Sequence, residues 1–269
     1  METVLLNPDT PVPNQVNGKV FSGAQAIGPN DRLIIDLDGT LVRGGAPTAG
    51  AARFLARYEG RFAIVSNNST DTALSLSSVL SRMGLVMTPD RLVLAGEEMI
   101  HFAAKHFPRA RCLCVTTHIL RRYAARHGLK IVHRDPEVIL LGRDRTMTYQ
   151  KLAAIVNSLR RGARLVVANP DVNHPALDGD VVPETGALMR AVVASSGVEP
   201  HHIVGKPEPT LFLTALARLK AKPAEACVVG DNVDTDCAGA ERLGMRCILI
   251  GEEPRAVAPS LAHFLEMVS

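Results

Sequence analysis

Two carboxylates, Asp36 and Asp38, follow the apolar triplet Leu33-Ile34-Ile35 in the segment Asp36-Leu37-Asp38-Gly39-Thr40. Side chains two apart on a strand share a face, so both can reach one pocket as the chain leaves the strand. Held that close, they repel and raise one another's pKa unless a cation intervenes. A hard dication removes the penalty, and Mg²⁺ takes one or two carboxylates together with waters and substrate phosphate. One carboxylate can then attack phosphorus while the other gives and takes the proton on the leaving oxygen. Gly39 allows a sharp turn that leaves backbone amides facing a phosphate. An Asp-x-Asp pair taken alone is equally an ordinary acidic strand-to-turn junction.

Three further clusters end apolar runs or precede helices. Ser66, with Asn67 beside it, follows Phe62-Ala63-Ile64-Val65, where a hydroxyl and neighbouring amides can bind phosphate or simply cap a turn. Lys206 stands in Gly205-Lys206-Pro207-Glu208-Pro209, able to neutralise a transferring phosphoryl group or to remain solvated. Asp231, Asp234 and Asp236 crowd together after Ala226-Cys227-Val228-Val229 with no basic residue among them, which favours a bound cation. Asp231, nearest the strand end, is the expected ligand; Asp236 is expected to support it from behind or from a helix start.

The elements that must position these groups alternate apolar runs with amphipathic stretches, the pattern of an α/β protein with a parallel sheet. Continuous rather than alternating hydrophobicity requires both faces of the strands to be covered. In such a sheet the carboxyl ends of the strands line one ligand-binding edge, so Asp36, Ser66 and Asp231 can converge from distant parts of the chain. The Asn169-Pro170-Asp171 cluster after Leu165–Ala168 fits either the same sheet or a separate domain. Helices are expected from a cap at Ser69 or Thr70 to Gly84, between Thr148 and Gly162, and from Pro209 onward.

At 269 residues the chain suits a core plus a second domain. The absence of Trp and the scarcity of Tyr and Phe disfavour a nucleic-acid stacking platform, and a net charge of +3 is too small to point to a polyanionic partner. No apolar stretch approaches the ~20 residues of a membrane span. The five cysteines contain no CxxC pair; Cys227 and Cys247, inside apolar runs, read as buried reduced thiols, and a reducing, cytoplasmic compartment fits best. Residues 1–30 read as an irregular leader.

In order along the chain, DLDGTLVRGG, VSNNS, GRDRTMTYQKL, ANPD, ETGAL, GKPEPTLF and GDNVDTDCAGA resemble the NagD-type, p-nitrophenylphosphatase-like branch of the haloacid dehalogenase-like (HAD) hydrolases. The resemblance runs from about residue 31 to 251. It implies a Rossmann-like parallel-sheet core over 31–86 and 201–269, with an inserted α/β cap over 87–200. It implies Asp36 as nucleophile and Mg²⁺ ligand, and Asp38 as acid/base that binds metal through its carbonyl. Ser66, Asn67 and Lys206 would hold the phosphoryl group, Asp231 would complete the metal site, and Asp236 would lie behind it. Cap residues Asn169, Asp171 and His174 would contact a small phosphorylated metabolite, and caps of this kind often mediate homodimers. Two departures stand out: Asn232 where Arg is frequent, and Glu184 where the cap often has Gly. Arg121, Arg122, Arg126, Arg143 and Arg145 are either a rim for an anionic substrate or a solvated face.

The expected activity is Mg²⁺-dependent phosphate-ester hydrolysis through an aspartyl phosphate. Carbon–halogen hydrolysis needs neither Asp38 nor the acidic cluster. A phosphomutase or a non-catalytic sensor of a phosphorylated ligand would share the apparatus.

Overall fold

A computed structural model describes residues 27–175 and 180–268; most of the expected leader lies outside them. The chain begins with β1 (Arg32–Asp36), a short ribbon of β2 (Val42–Arg43) and β3 (Ala46–Pro47), α1 (Ala51–Arg57), β4 (Phe62–Ser66) and α2 (Ala73–Arg82). It continues with β5 (Leu92–Leu94), α3 (Ala95–His106), β6 (Arg111–Val115), α4 (His118–Arg126), β7 (Lys130–Ile131), β8 (Val138–Leu141), α5 (Tyr149–Arg160) and β9 (Arg164–Val167). The antiparallel pair β10 (Asn173–Pro175) and β11 (Val181–Pro183) precedes α6 (Thr185–Ser196) and β12 (His202–Ile203). Last come α7 (Pro209–Leu219), β13 (Ala226–Gly230), α8 (Ala238–Arg242), β14 (Arg246–Leu249) and α9 (Leu261–Met267).

Two five-stranded sheets organise these elements, in the orders β14-β13-β1-β4-β5 and β12-β9-β8-β6-β7. Every pairing within them is parallel. In the first sheet the period-two alternation of a strand sorts side chains between two cores. Leu33 and Ile35 of β1 join Phe54, Leu76, Leu80 and Phe264 on one face. Ile34 joins Leu211, Phe212 and Ala215 of α7 on the other. That second cluster continues through Met99, Ile100 and Ala103 of α3 to Leu140 and Val166 of the second sheet, so the two lobes share apolar packing.

The strands divide between the sheets differently from the expected boundaries at 87 and 200. β5 adds to the first sheet and β12 to the second. The run before Asn169 is β9, which resolves its position: Asn169 leaves the second sheet. Thr148 caps α5 through Lys151 N–H and Pro209 begins α7, as their positions in the sequence suggest. The α2 cap is Thr72 rather than Ser69 or Thr70, and it exchanges hydrogen bonds with Ser75.

The cysteine reading needs a correction. Cys237 and Cys247 form a disulfide, with Cα atoms 5.3 Å apart, joining the π-helical turn Val233–Cys237 to β14. Cys247 looks like a core thiol in sequence, but β14 brings it alongside that turn. Cys112, Cys114 and Cys227 are free and buried, and burial pushes their thiols up to about 11, 12 and 12. Among the described residues no helix is long and apolar enough to cross a membrane.

Because α7 carries Lys206 at its entry and packs on β1 and β4, its anchor Phe212 is a test of the framework. Phe212→Ala is expected to cost roughly 3–5 kcal/mol of stability, read by denaturant unfolding.

Candidate active site

Asp36 is the last residue of β1 and is 6 % exposed. Its Oδ1 accepts a hydrogen bond from Lys206 Nζ at 2.5 Å, and its Oδ2 is buried without a hydrogen-bond partner. Lys206 Nζ also donates to Asp236 Oδ1 at 2.7 Å. The ammonium and both carboxylates are thus withdrawn from water, Lys206 at 3 % and Asp236 at 1 % exposure. Burial works against the charged Lys206, but Asp236 and Asp36 outweigh it and hold the ammonium above its ordinary range. Burial pushes the Asp36 carboxyl well above the usual carboxylate range; Lys206 pulls it back, and Asp236, Asp38 and Asp231 push it further up.

Two close approaches depend on glycine. At Gly39, with φ 101°, a Cβ would lie 1.9 Å from Asp231 Oδ2, so this turn can pass the acidic loop only without a side chain. At Gly205 a Cβ would lie 2.5 Å from Asn67 Oδ1. That clearance lets Asn67 Oδ1 accept from the Lys206 N–H at 2.7 Å, while Asn67 Nδ2 donates to the Lys206 carbonyl at 3.1 Å. The same Nδ2 donates to both oxygens of Asp171, at 3.1 and 3.0 Å.

Carboxylate oxygens of Asp36, Asp231 and Asp236 lie within 4.8 Å of one another. Asp231 also contacts Thr40 Oγ1 at 3.5 Å and Arg43 Nη2 at 3.8 Å. Burial, and after it the Asp236 charge, push the Asp231 carboxyl up. Three crowded oxygen donors, one of them with an unpartnered buried atom, suit a hard dication better than a softer metal.

These groups open into a cavity of about 1120 Å³, lined on one side by Asp36, Asp38, Arg43, Lys206, Asp231 and Asp236. Asp171, His174, Arg143 and Glu184 line it from the second lobe. The structure therefore gathers Asp36, Asp38, Asn67, Lys206, Asp231, Asp236, Asp171 and His174 around one space.

Several side chains take places other than those expected. Ser66 Oγ is fully buried, donates to Asp38 Oδ2 at 3.0 Å and accepts from the Asn68 N–H at 3.0 Å, so it orients Asp38 from behind the cavity wall. The Asn67 amide is committed to Lys206 and Asp171. Asn169 is 1 % exposed and ties the lobes together, its Nδ2 donating to the Asn67 carbonyl at 2.6 Å. The Asp38 carboxylate is outside the three-carboxylate group. Asp236 is inside it, though one oxygen is held by Lys206 and the other by the Asn232 N–H at 3.2 Å. Of the five arginines considered as a rim, Arg143 alone lines the cavity. Arg43, within the DLDGTLVRGG segment, also lines the cavity, and nothing in its sequence position signals that placement.

The profile of the haloacid dehalogenase-like hydrolases matches residues 31–244, and the chain belongs to that family. It is 30 % identical over 224 residues to a dihydroxyacetone phosphatase of Corynebacterium glutamicum, covering 82 % of this chain and 81 % of that one. It is 33 % identical over 225 residues to a D-glycerol 3-phosphate phosphatase of Mycobacterium tuberculosis, covering 82 % of this chain but 63 % of the longer relative. Among solved structures, a 4-nitrophenylphosphatase of Thermotoga maritima superposes with a TM-score of 0.81 at 27 % identity, over 89 % of this chain and 97 % of that one. The glycerol phosphate phosphatase of Mycobacterium tuberculosis, solved in complex with magnesium, gives a TM-score of 0.76 at 33 % identity, over 85 % and 69 % of the two chains.

Replacing Lys206 by Met leaves Asp36 and Asp236 buried without their shared cation. The expected loss is about 3–5 kcal/mol in unfolding free energy at neutral pH without metal. An unchanged stability would show that the ion pairs contribute nothing net.

Proposed function

We propose that the protein is a Mg²⁺-dependent phosphatase of small phosphorylated metabolites, and that Asp36 is its nucleophile. The observation that carries this reading is the state of Asp36. One carboxylate oxygen is fixed by a buried lysine, and the other is buried, unpartnered and part of a three-carboxylate group. A structural carboxylate would have both oxygens satisfied.

Charge favours the same reading. The cavity lining carries six carboxylates against three cationic side chains, so a phosphate dianion would be repelled unless a cation entered too. Asp36 and Asp231 would hold Mg²⁺, with the Asp38 carbonyl as the family resemblance implies and Asp236 close behind. Bound there, the metal would neutralise the phosphoryl oxygens and keep the carboxylates ionised.

The residues of the chain then divide the reaction. Asp36 attacks phosphorus and the bond from phosphorus to the leaving oxygen breaks, giving an aspartyl phosphate and the free alcohol. Asp38, steadied by Ser66, gives its proton to that oxygen. It then takes a proton from water, which attacks the aspartyl phosphate and releases inorganic phosphate. Lys206, fixed by Asp236, orients Asp36 and offsets charge on the transferring group.

Asp36→Asn is expected to lower turnover of 4-nitrophenyl phosphate in Mg²⁺ by about a thousandfold or more. Wild-type turnover in that variant would overturn the assignment.

Metal binding has a separate readout in thermal unfolding. Mg²⁺ at one hundred times its dissociation constant should stabilise the wild type by about 2.7 kcal/mol, and Asp231→Asn should lose most of that. Without metal the variant should be no less stable than the wild type. Burial and Asp236 raise the Asp231 pKa in the folded state, so the native protein holds that proton more tightly than the unfolded chain. Ionisation of Asp231 as pH rises above the ordinary carboxylate value therefore weakens the metal-free fold. The advantage of Asp231→Asn should grow over that rise; a constant difference would count against the crowding.

A further inference from the structure

The cap side of the cavity holds one ion pair that the proposed chemistry does not use. Glu184 Oε1 accepts from Arg143 Nη1 at 2.9 Å and from His174 Nδ1 at 2.7 Å. Both members of the ion pair are largely withdrawn from water, their side chains 19 % and 15 % exposed.

Their positions are fixed relative to the nucleophile. The Arg143 N–H donates to Ser69 Oγ at 3.2 Å, and Ser69 Oγ also lies 2.9 Å from Thr185 Oγ1, next to Glu184. Ser69 belongs to the turn leaving β4, whose strand pairs directly with β1 and Asp36. Arg143 and Glu184 are therefore held against the catalytic sheet rather than free to swing with solvent.

We propose that the Arg143–Glu184 pair selects the leaving group: it favours phosphate esters whose carbon skeleton carries hydroxyl or carbonyl oxygens and disfavours those that carry a carboxylate. This inference rests on the phosphatase reading above. Each cation lining the cavity is already matched. Lys206 lies between Asp36 and Asp236, Arg43 beside Asp231, and Arg143 against Glu184.

A carboxylate arriving at the cap face would meet Glu184 and Asp171 with no uncompensated cation there, and like charges brought together cost several kcal/mol at close range. A hydroxyl can donate to either acid. A hydroxyl or carbonyl oxygen can also accept from the Arg143 guanidinium, which lines the cavity. Without the Glu184 carboxylate the arginine charge would face substrate uncompensated, so Glu184 sets the selectivity of this face.

Glycerol 3-phosphate and 3-phosphoglycerate make a matched pair of probes, one ending in a hydroxymethyl group and the other in a carboxylate. The readout is the ratio of their kcat/KM values in Mg²⁺, which cancels any loss common to both. The wild type should favour glycerol 3-phosphate by at least about tenfold. Glu184→Gln should shrink the ratio about tenfold, through a lower KM for 3-phosphoglycerate, because it leaves Arg143 uncompensated. Arg143→Gln should widen it, because it leaves Glu184 uncompensated. Opposite shifts in the two variants are a signature that simple loosening of the cap would not give.

The proposal is overturned if the wild type treats the esters alike or prefers 3-phosphoglycerate. It is also overturned if the ratio fails to move in opposite directions in the variants. The wild-type ratio decides even where a variant does not fold. Absence of turnover of 4-nitrophenyl phosphate as well by the wild type would instead defeat the phosphatase reading itself.

Discussion

Lys206 Nζ lies 2.5 Å from Asp36 and 2.7 Å from Asp236, and all three groups are shut away from water. Isolated charges at such depth would cost several kcal/mol each, so the fold must bring them together or neutralise them. Doing so constrains three separate pieces of chain. β1 must end at Asp36, the turn before α7 must present Lys206, and the π-helical turn after β13 must aim Asp236 inward. A π-helical turn widens the backbone at this point, a distortion that recurs at functional sites. One ammonium cannot balance every acid nearby, and the surplus negative charge at Asp36 and Asp231 gives this sheet edge its appetite for a cation.

Asn67 makes that constraint into a link between lobes. Its amide reads the backbone of Lys206 on both N–H and C=O, and it donates to Asp171 from the strand edge of the other sheet. Asn169 answers by donating to the Asn67 carbonyl. Ser69, two residues on, contacts Thr185 and the Arg143 amide. A single strand-to-helix turn thus carries the position of Asp36 to the residues facing it across the cavity. Small side chains with two-sided hydrogen bonding suit this task, because they fix distance and orientation together with little side-chain entropy to lose.

Which parts of this were legible in sequence follows from what carries a periodic signal. Leu33–Ile35, Phe62–Val65 and Ala226–Val229 are uninterrupted apolar runs ending in polar clusters, and their strands lie side by side as that pattern requires. β5 is three residues, Leu92–Leu94, too short to stand out, so the apolar pattern places the break between the sheets before it. Asn169 followed a run of the same kind as Asp36 did, and nothing in the run itself says which sheet it joins. The pairing of Asn67 with Asp171 spans 104 residues and has no period at all. A hydroxyl that follows a strand, as in Ser66, reads in sequence as a phosphate ligand; its turn toward Asp38 depends on the fold. Cys247 follows the same grammar: in an apolar run it reads as core, and its bond to Cys237 depends on a neighbouring turn.

The acid-rich lining also bears on the order in which ligands can enter. With six carboxylates facing three cationic side chains, a phosphate ester gains little from Lys206 alone, since that ammonium is already shared between two acids. A dication held by Asp36 and Asp231 would offset most of that surplus, so the ester would bind better once it is present, and by linkage the ester would strengthen the hold on the dication equally. On the cap side no such compensating ion is called for, because Arg143 and Glu184 balance each other within the protein. The cavity is thus electrostatically incomplete where phosphorus would sit and complete where the leaving group would sit. Charge recognition would then be confined to the phosphate end, and the other end would discriminate by hydrogen bonding and shape.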